Sequence, residues 1–261
     1  MRAGSLIVVG TGIRTVGQLT MEAVAWIRQA DKVFHVVGDP VALAMIGELA
    51  GDRAESLSVL YAEGQPRMMT YLAMVERVLA SVRAGALTCF AAYGHPGVFA
   101  FPTHESIRRA RAEGYPARML PGISAEDCLF ADLGVDPGTI GCQSYEATDF
   151  LMNSRIVDPS SNLVLWQIGV LGDATFRAGG YDRSALPLLV ERLLQIYPPA
   201  HPIYLYEAAV LPGCEPVILP VPVAALAAAP MSPGFTAYIP PARATQTDFA
   251  LAQRLPGLRG G

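Results

Sequence analysis

Residues 61–71 read YAEGQPRMMTY: Tyr61, then Arg67 six positions on, then Tyr71 four after that. A phenol can take or give a proton and a guanidinium carries a fixed positive charge, so the set suits proton removal from a weak acid. The apolar positions Leu72, Val75, Leu79 and Val82 step by three and four, which predicts a half-buried helix over 68–84. If that helix takes in both, Arg67 and Tyr71 share one face. A guanidinium about 4 Å from a phenolate contributes roughly 4 kcal/mol at an effective dielectric of about 20, an upper bound of about three pKa units for a phenol that titrates near 10. Such a pairing would carry Tyr71 toward working pH. Read alone, the stretch more readily describes an arginine lying over a tyrosine ring, with both phenols capping the core.

A second polar cluster stands in AAYGHPGVFAFP, residues 91–102, at the end of the predicted strand ALTCFAA. Open α/β sheets place ligands at such strand ends. Gly94, Pro96 and Gly97 impose an irregular backbone, and Tyr93 and His95 supply polar tips. A third feature, Gly10-Thr11-Gly12, follows one strand and precedes a helix, with Asp39 at the end of the next strand as a possible ribose ligand. Thr15 stands where a dinucleotide fingerprint needs its last glycine, so the loop reads either as a plain strand-to-helix turn or as an edge for an adenosyl-type ligand.

The elements that must carry these groups alternate. SLIVV, KVFHVV, LSVL, ALTCFAA and ARML read as strands; LTMEAVAWIRQA, PVALAMIGELA, the 68–84 stretch and ESIRRARAEG read as helices between them. Pro121 and Gly122 break the pattern, and SAEDCLFADLG opens a helix with Ser124 as N-cap and Asp127 three residues on. Beyond it come strands CQSYEA, LVLWQIG, PIYLYEA and FTAYIPP, a helix ALPLLVERLLQIY and a short alanine-rich one. This predicts two α/β domains, 1–121 and 122–242, with a tail at 243–261. Gln167 ends an apolar strand run, where an amide is costly unless paired.

With 52% apolar and 16% charged residues the chain has ample material for two packed cores. A formal net charge of −4 leaves no electrostatic footprint for nucleic acid or an anionic membrane. The most apolar stretch, VILPVPVAALAAAP, is short and holds three prolines, so it cannot span a bilayer. No signal-peptide core follows Arg2, and the expected location is cytoplasmic. Cys89, Cys128, Cys142 and Cys214 show no paired spacing, and no metal site is expected.

GSLIVVGTGIRTVGQLTMEA, YGHPGVFAFPTH, ARMLPGISAEDCLFADLGVDPG, CQSYEATDF, LVLWQIG and YIPPA, in this order from Gly4 to about Ala242, resemble the peptide backbone α-N-methyltransferases of borosin pathways. These form a branch of the tetrapyrrole (corrin/porphyrin) methylase fold. The resemblance implies two α/β domains with S-adenosylmethionine bound in the cleft between them, S-adenosylhomocysteine as product, and a homodimer. Tetrapyrrole methylases proper have G-x-G-P-G and G-D-P where this chain has GTGIRT and GHP. Tyr61, Arg67, Tyr71 and Tyr93 match the residues to which borosin enzymes assign amide chemistry, with Tyr71 as base or relay, Arg67 as its activator, and Tyr61 and Tyr93 as donors to the developing imidate oxygen. The cofactor site carries over to Tyr93, His95, Val98, Ala125, Gln167, Ala208, Phe235 and Thr236; Phe235 departs from the serine of fungal relatives. Fungal relatives modify a peptide at their own C-terminus. Only nineteen residues follow YIPPA here, so the expectation is a stand-alone enzyme of the bacterial split type, acting in trans on a separate precursor peptide. A tetrapyrrole or other small-molecule methyltransferase and an inactive precursor-binding scaffold are the alternatives.

Overall fold

The computed structural model describes residues 4–255. Two compact units emerge. The first takes the chain up to Val135 together with Asp173–Tyr181 and Glu207–Val217; the second takes Asp136–Gly172, Asp182–Tyr206 and the chain from Ile218. The boundary expected at 121–122 therefore falls inside the first unit. The helix Ala125–Leu133 stays with that unit, tied by a 3.5 Å bond from Gln18 Nε2 to Cys128 Sγ, and two later segments return to it.

The sheet of the first unit comprises β1 (Ser5–Gly10), β2 (Lys32–Val36), β3 (Ala54–Ser56), β4 (Leu87–Ala92) and β5 (Ala117–Met119), in the order β3-β2-β4-β1-β5. Every pairing is parallel. A parallel sheet must be covered on both faces, and alternate side chains serve each cover. Ile7, Val9, Cys89 and Ala91 pack with Ala23, Ile27, Ala42 and Ile46 of the helices Met21–Gln29 and Pro40–Ala50. Leu6, Val8 and Phe90 point the other way, onto Met74, Val78, Leu79 and Ile107 of the helices Arg67–Arg83 and Phe101–Ala112.

Strand order also locates a crevice. From β1 the chain moves to β2 and then β3, and from β3 it returns to β4 and crosses β1 to reach β5. The exit from β4 thus runs opposite to those from β1 and β2, which makes its carboxyl end a topological switch point.

The second unit holds a mixed sheet of β6 (Cys142–Glu146), β7 (Asn162–Trp166), β8 (Pro202–Glu207), β9 (Val217–Pro222) and β10 (Thr236–Ile239), ordered β6-β7-β10-β8-β9. β6 and β7 are parallel, and β10 is antiparallel to β7 and β8. Leu163, Leu165, Ile203, Leu205, Ala237 and Ile239 form its core with Phe150 and the helix Leu186–Leu194.

Several elements differ from the sequence reading. LSVL is not a strand: β3 ends at Ser56, and Ser58–Leu60 is a 3-10 turn. Leu19 lies before its helix, which starts at Met21 because Thr20 caps it by accepting from the Ala23 N–H. VILPVP, prolines included, forms the edge strand β9, the one place in a sheet where missing N–H donors cost little. Among the described residues no helix is long and apolar enough to cross a membrane. No disulfide joins the four cysteines; Cys89 is buried and Cys214 exposed.

Candidate active site

Glycines bring three loops together at the carboxyl ends of β1 and β4. A Cβ on Gly10 would stand 2.3 Å from the Gly94 carbonyl oxygen and 2.8 Å from Pro96 Cδ, and one on Gly122 would stand 3.2 Å from Gly10 Cα. Gly12 and Gly94 exchange main-chain hydrogen bonds of 3.3 and 2.9 Å. The loop that carries Tyr93 and His95 is thereby pinned to the loop after β1.

That first loop cannot cradle a phosphate with its own amides. The carboxamide oxygen of Gln18 accepts from the N–H groups of Ile13 and Arg14, both at 2.8 Å. Asp39, the possible ribose ligand, caps the helix Pro40–Ala50 by accepting from Ala42 N at 2.8 Å. Thr15 is buried, and Val16 and Gly17 depart from helical geometry, so no regular helix continues directly from the loop. A pyrophosphate-bearing dinucleotide therefore has no seat there.

Of the residues matched to cofactor binding, Tyr93, His95, Val98, Ala125 and Ala208 belong to the first unit. Tyr93 follows β4 directly and exposes 44% of its surface, yet protein crowding around its hydroxyl pushes its pKa up to about 12, with the charges of Cys128, Asp39 and Glu207 adding to the effect. His95 accepts the Gly97 N–H at Nδ1 (2.9 Å), which leaves Nε2 to meet a ligand. Ala125 is the first residue of its helix, behind a capping box in which Ser124 and Asp127 satisfy each other's amides. Ala208 lines a cavity of about 520 Å³ with Gln18, Ile123 and Cys128.

Gln167, Phe235 and Thr236 lie in the second unit, at one end of its sheet. Leu165 pairs with Ala237, so two residues further the register sets Gln167 beside Phe235. One sequence argument fails here. Gln167 is exposed and its backbone is left-handed (φ 62), so its amide is not a desolvated group in need of a partner. Phe235 is a core residue, 6% exposed, whose N–H donates to the Ser232 carbonyl at 3.1 Å.

Tyr61, Arg67 and Tyr71 form a cluster in the first unit. Arg67 opens its helix behind Pro66, and Tyr71 follows one turn later, stacked at 6.3 Å on Phe101. The two phenols are neighbours, and Tyr71 acts on the titration of Tyr61. Burial first, and then the neighbouring Tyr71 phenol, hold Tyr61 well above the ordinary phenol range, against the lowering pull of Arg67. Tyr61 is thus a protonated donor at any physiological pH, and the cation of Arg67 acts on it.

Residues that sequence reasoning passed over complete this cluster. The segment Asp173–Tyr181, DATFRAGGY, docks on residues 63–67: Gly64 N donates to Phe176 O (2.8 Å), Phe176 N to Gln65 O (2.9 Å) and Arg67 N to Ala174 O (2.9 Å). The Arg67 guanidinium donates to the Asp173 carbonyl and stands 6.0 Å from the Tyr181 ring centre, while Phe176 lies 4.8 Å from the Tyr61 ring. Aromatic residues around a glycine pair were the available signal, but nothing in their spacing says that the segment returns to the first unit.

The family model of the Tetrapyrrole (Corrin/Porphyrin) Methylases matches residues 5–227. The chain belongs to this family. Among curated proteins it is 49% identical over 212 residues to a methyltransferase/ribosomally synthesized type III borosin cyclic peptide precursor of Anomoporia bombycina, covering 81% of this chain and 24% of that protein. It is 48% identical to the dendrothelin A precursor methyltransferase of Dendrothele bispora (83% and 52% covered) and 42% identical to the omphalotin A precursor methyltransferase of Omphalotus olearius (100% and 63% covered). The chain thus spans from a quarter to under two thirds of these relatives' lengths. A crystal structure of uroporphyrin-III C-methyltransferase from Thermus thermophilus shares the fold, with TM-score 0.65 at 21% identity over 92% of this chain and 93% of that one.

Proposed function

We propose that the chain transfers methyl groups from S-adenosylmethionine to backbone amide nitrogens of a ribosomally made peptide. Membership of a methylase family supports methyl transfer, and the names of the similar fungal proteins, which join a methyltransferase to a peptide precursor, support the acceptor class. The observation that carries the reading is the cluster of two neighbouring phenols, Tyr61 and Tyr71, with the cation of Arg67 close enough to act on Tyr61.

A peptide nitrogen is a poor nucleophile because its lone pair is delocalised into the carbonyl, so its proton must leave as the new bond forms. Tyr71 receives that proton. Tyr61 beside it stays protonated as a donor, and Arg67 supplies the nearby positive charge. Tyr93, held protonated, donates to the acceptor carbonyl as it becomes imidate-like. In the first unit Tyr93, His95 and Val98 stand on the loop after β4, Ala125 opens its helix and Ala208 follows β8, and the turn closed by Gln18 asks for a ligand without phosphates; these residues would hold the cofactor. S-adenosylmethionine supplies, when bound, an electrophilic methyl group. Holding the acceptor nitrogen in line with that methyl can contribute about 7 to 11 kcal/mol.

The decisive experiment measures methylation of an added peptide by Tyr71→Phe and Arg67→Ala proteins whose cofactor affinity is normal. Loss of at least a hundredfold in both is expected; near-normal turnover in both sinks the assignment. The finer reading is a homodimer in the cytoplasm that acts on a separate precursor. Intact-mass analysis after incubation with cofactor alone bears on it, since methyl-sized additions on the chain itself would refute action in trans.

A further inference from the structure

The segment Asp173–Tyr181 is built to stay shaped. Asp173 Oδ1 accepts from the Thr175 amide (2.7 Å) and hydroxyl (2.6 Å), and its Oδ2 accepts from Arg177 Nε at 2.9 Å, which holds the Asp173 carboxyl down at about 2. The Tyr181 hydroxyl accepts the Arg177 N–H at 3.2 Å and so closes the turn from its far end. Glu63 Oε2 accepts from the Ala178 N–H at 2.8 Å, a further tie to the segment that carries Tyr61. This is a strap fastened at several points across 63–67, with the Tyr181 ring face turned to the Arg67 guanidinium.

An arginine side chain has about 2 kcal/mol of rotamer freedom to lose, and one carbonyl acceptor leaves it free to pivot about that bond. A ring face at 6.0 Å supplies the second point of restraint. We propose that Tyr181 is a positioning residue for Arg67, whose ring, together with the Asp173 carbonyl, holds the guanidinium toward the Tyr61–Tyr71 pair. The inference rests on the reading of Tyr61, Arg67 and Tyr71 as the reacting cluster. It assigns to the strap a role in setting the charge of the site, distinct from contact with substrate. The ring is what matters, so phenylalanine serves in place of tyrosine and aliphatic or amide side chains do not.

The test observes Arg67 directly in the whole protein. Nitrogen-15 NMR of arginine Nε–H groups, assigned through Arg67→Lys, is recorded for the parent, Tyr181→Phe, Tyr181→Leu and Tyr181→Gln. The Arg67 Nε–H in the parent and in Tyr181→Phe is expected to exchange with water at least tenfold more slowly than exposed arginines. In Tyr181→Leu and Tyr181→Gln it is expected to approach the exposed rate, with circular dichroism unchanged. Slow exchange retained in either of those two folded proteins, or lost in Tyr181→Phe, overturns the proposal. Methyl transfer to an added peptide separates the two ideas. Loss in kcat of tenfold or more for Tyr181→Leu, at unchanged KM for cofactor and with Tyr181→Phe near normal, supports positioning. Full turnover in Tyr181→Leu with turnover lost in Arg67→Ala removes the positioning role and leaves the site reading intact. Full turnover in Arg67→Ala removes the site reading.

Discussion

The side chain of Gln18 reaches back across its own loop so that its oxygen takes the N–H of Arg14 at 2.8 Å, alongside that of Ile13. A loop that looks from its glycines like a ligand cradle is thereby closed upon itself, and Gly12 is needed because a Cβ there would come within 2.4 Å of Gln18 Cβ.

Removing that oxygen should loosen the loop. Gln18→Ala leaves two amides without their acceptor, one of them on the buried Ile13, and is expected to cost about 1 to 3 kcal/mol. Gln18→Glu keeps the acceptor and should cost much less. Urea denaturation of both proteins measures the difference; equal costs would show that the carboxamide oxygen is not what holds the turn.

Gly10→Ala tests the approach of the strand ends. Its Cβ would meet the Gly94 carbonyl oxygen at 2.3 Å, main chain that can yield only by moving the Tyr93–Val98 loop. A loss of about 2 kcal/mol or more is expected, with weakened binding of S-adenosylmethionine by calorimetry. A protein of normal stability and cofactor affinity would show that the loop is not clamped.

Stability should also fall at both ends of the pH range. Tyr197 is 2% exposed, its hydroxyl is without a partner, and burial, with a smaller contribution from Asp158, pushes its pKa up to about 12. Between about 10 and 12 the unfolded chain loses this proton while the folded chain keeps it, so stability drops as pH rises, by about 3 kcal/mol at most from this residue. Tyr197→Phe should flatten that limb. His35 runs the other way: burial lowers its pKa, so as pH falls below 6.5 the unfolded chain takes a proton that the folded chain refuses. Melting curves from pH 5 to 11 check both, and an unchanged alkaline limb in Tyr197→Phe would contradict the first.

Much of this molecule can be read from its sequence, and what escapes reading has a common cause. The parallel strands β1, β2 and β4 are apolar runs between amphipathic helices, and Ser124 with Asp127 announces its helix by local chemistry alone. Arg67 and Tyr71 share a helix, so their spacing carries their geometry. Contacts made by chain return leave no such trace. The Asp173–Tyr181 strap reaches Arg67 across 106 residues, and no periodicity encodes that meeting. Gln167 misled for a related reason: its apolar run suggests a strand interior, but β7 ends at Trp166 and the next residue turns out of the sheet in a left-handed conformation.

Arg67→Lys is the sharpest single probe of the cluster. Lysine keeps the charge but has a compact ammonium in place of the planar fork, so it cannot bond the Asp173 carbonyl while lying flat beneath the Tyr181 ring. If a cation near Tyr61 and Tyr71 were sufficient, turnover would survive. The geometry instead requires one that is held, and the expected result is a tenfold to hundredfold loss of kcat with cofactor affinity unchanged, because Arg67 bonds the Asp173–Tyr181 strap, a different segment from the loop that carries Tyr93 and His95. Tyr61 supplies the internal readout. Arg67 lowers its pKa against burial, so an alkaline titration followed by ultraviolet absorbance should show one phenol ionising at higher pH in Arg67→Ala than in the parent. A titration identical in the two proteins would mean that the cation does not act on the phenol pair.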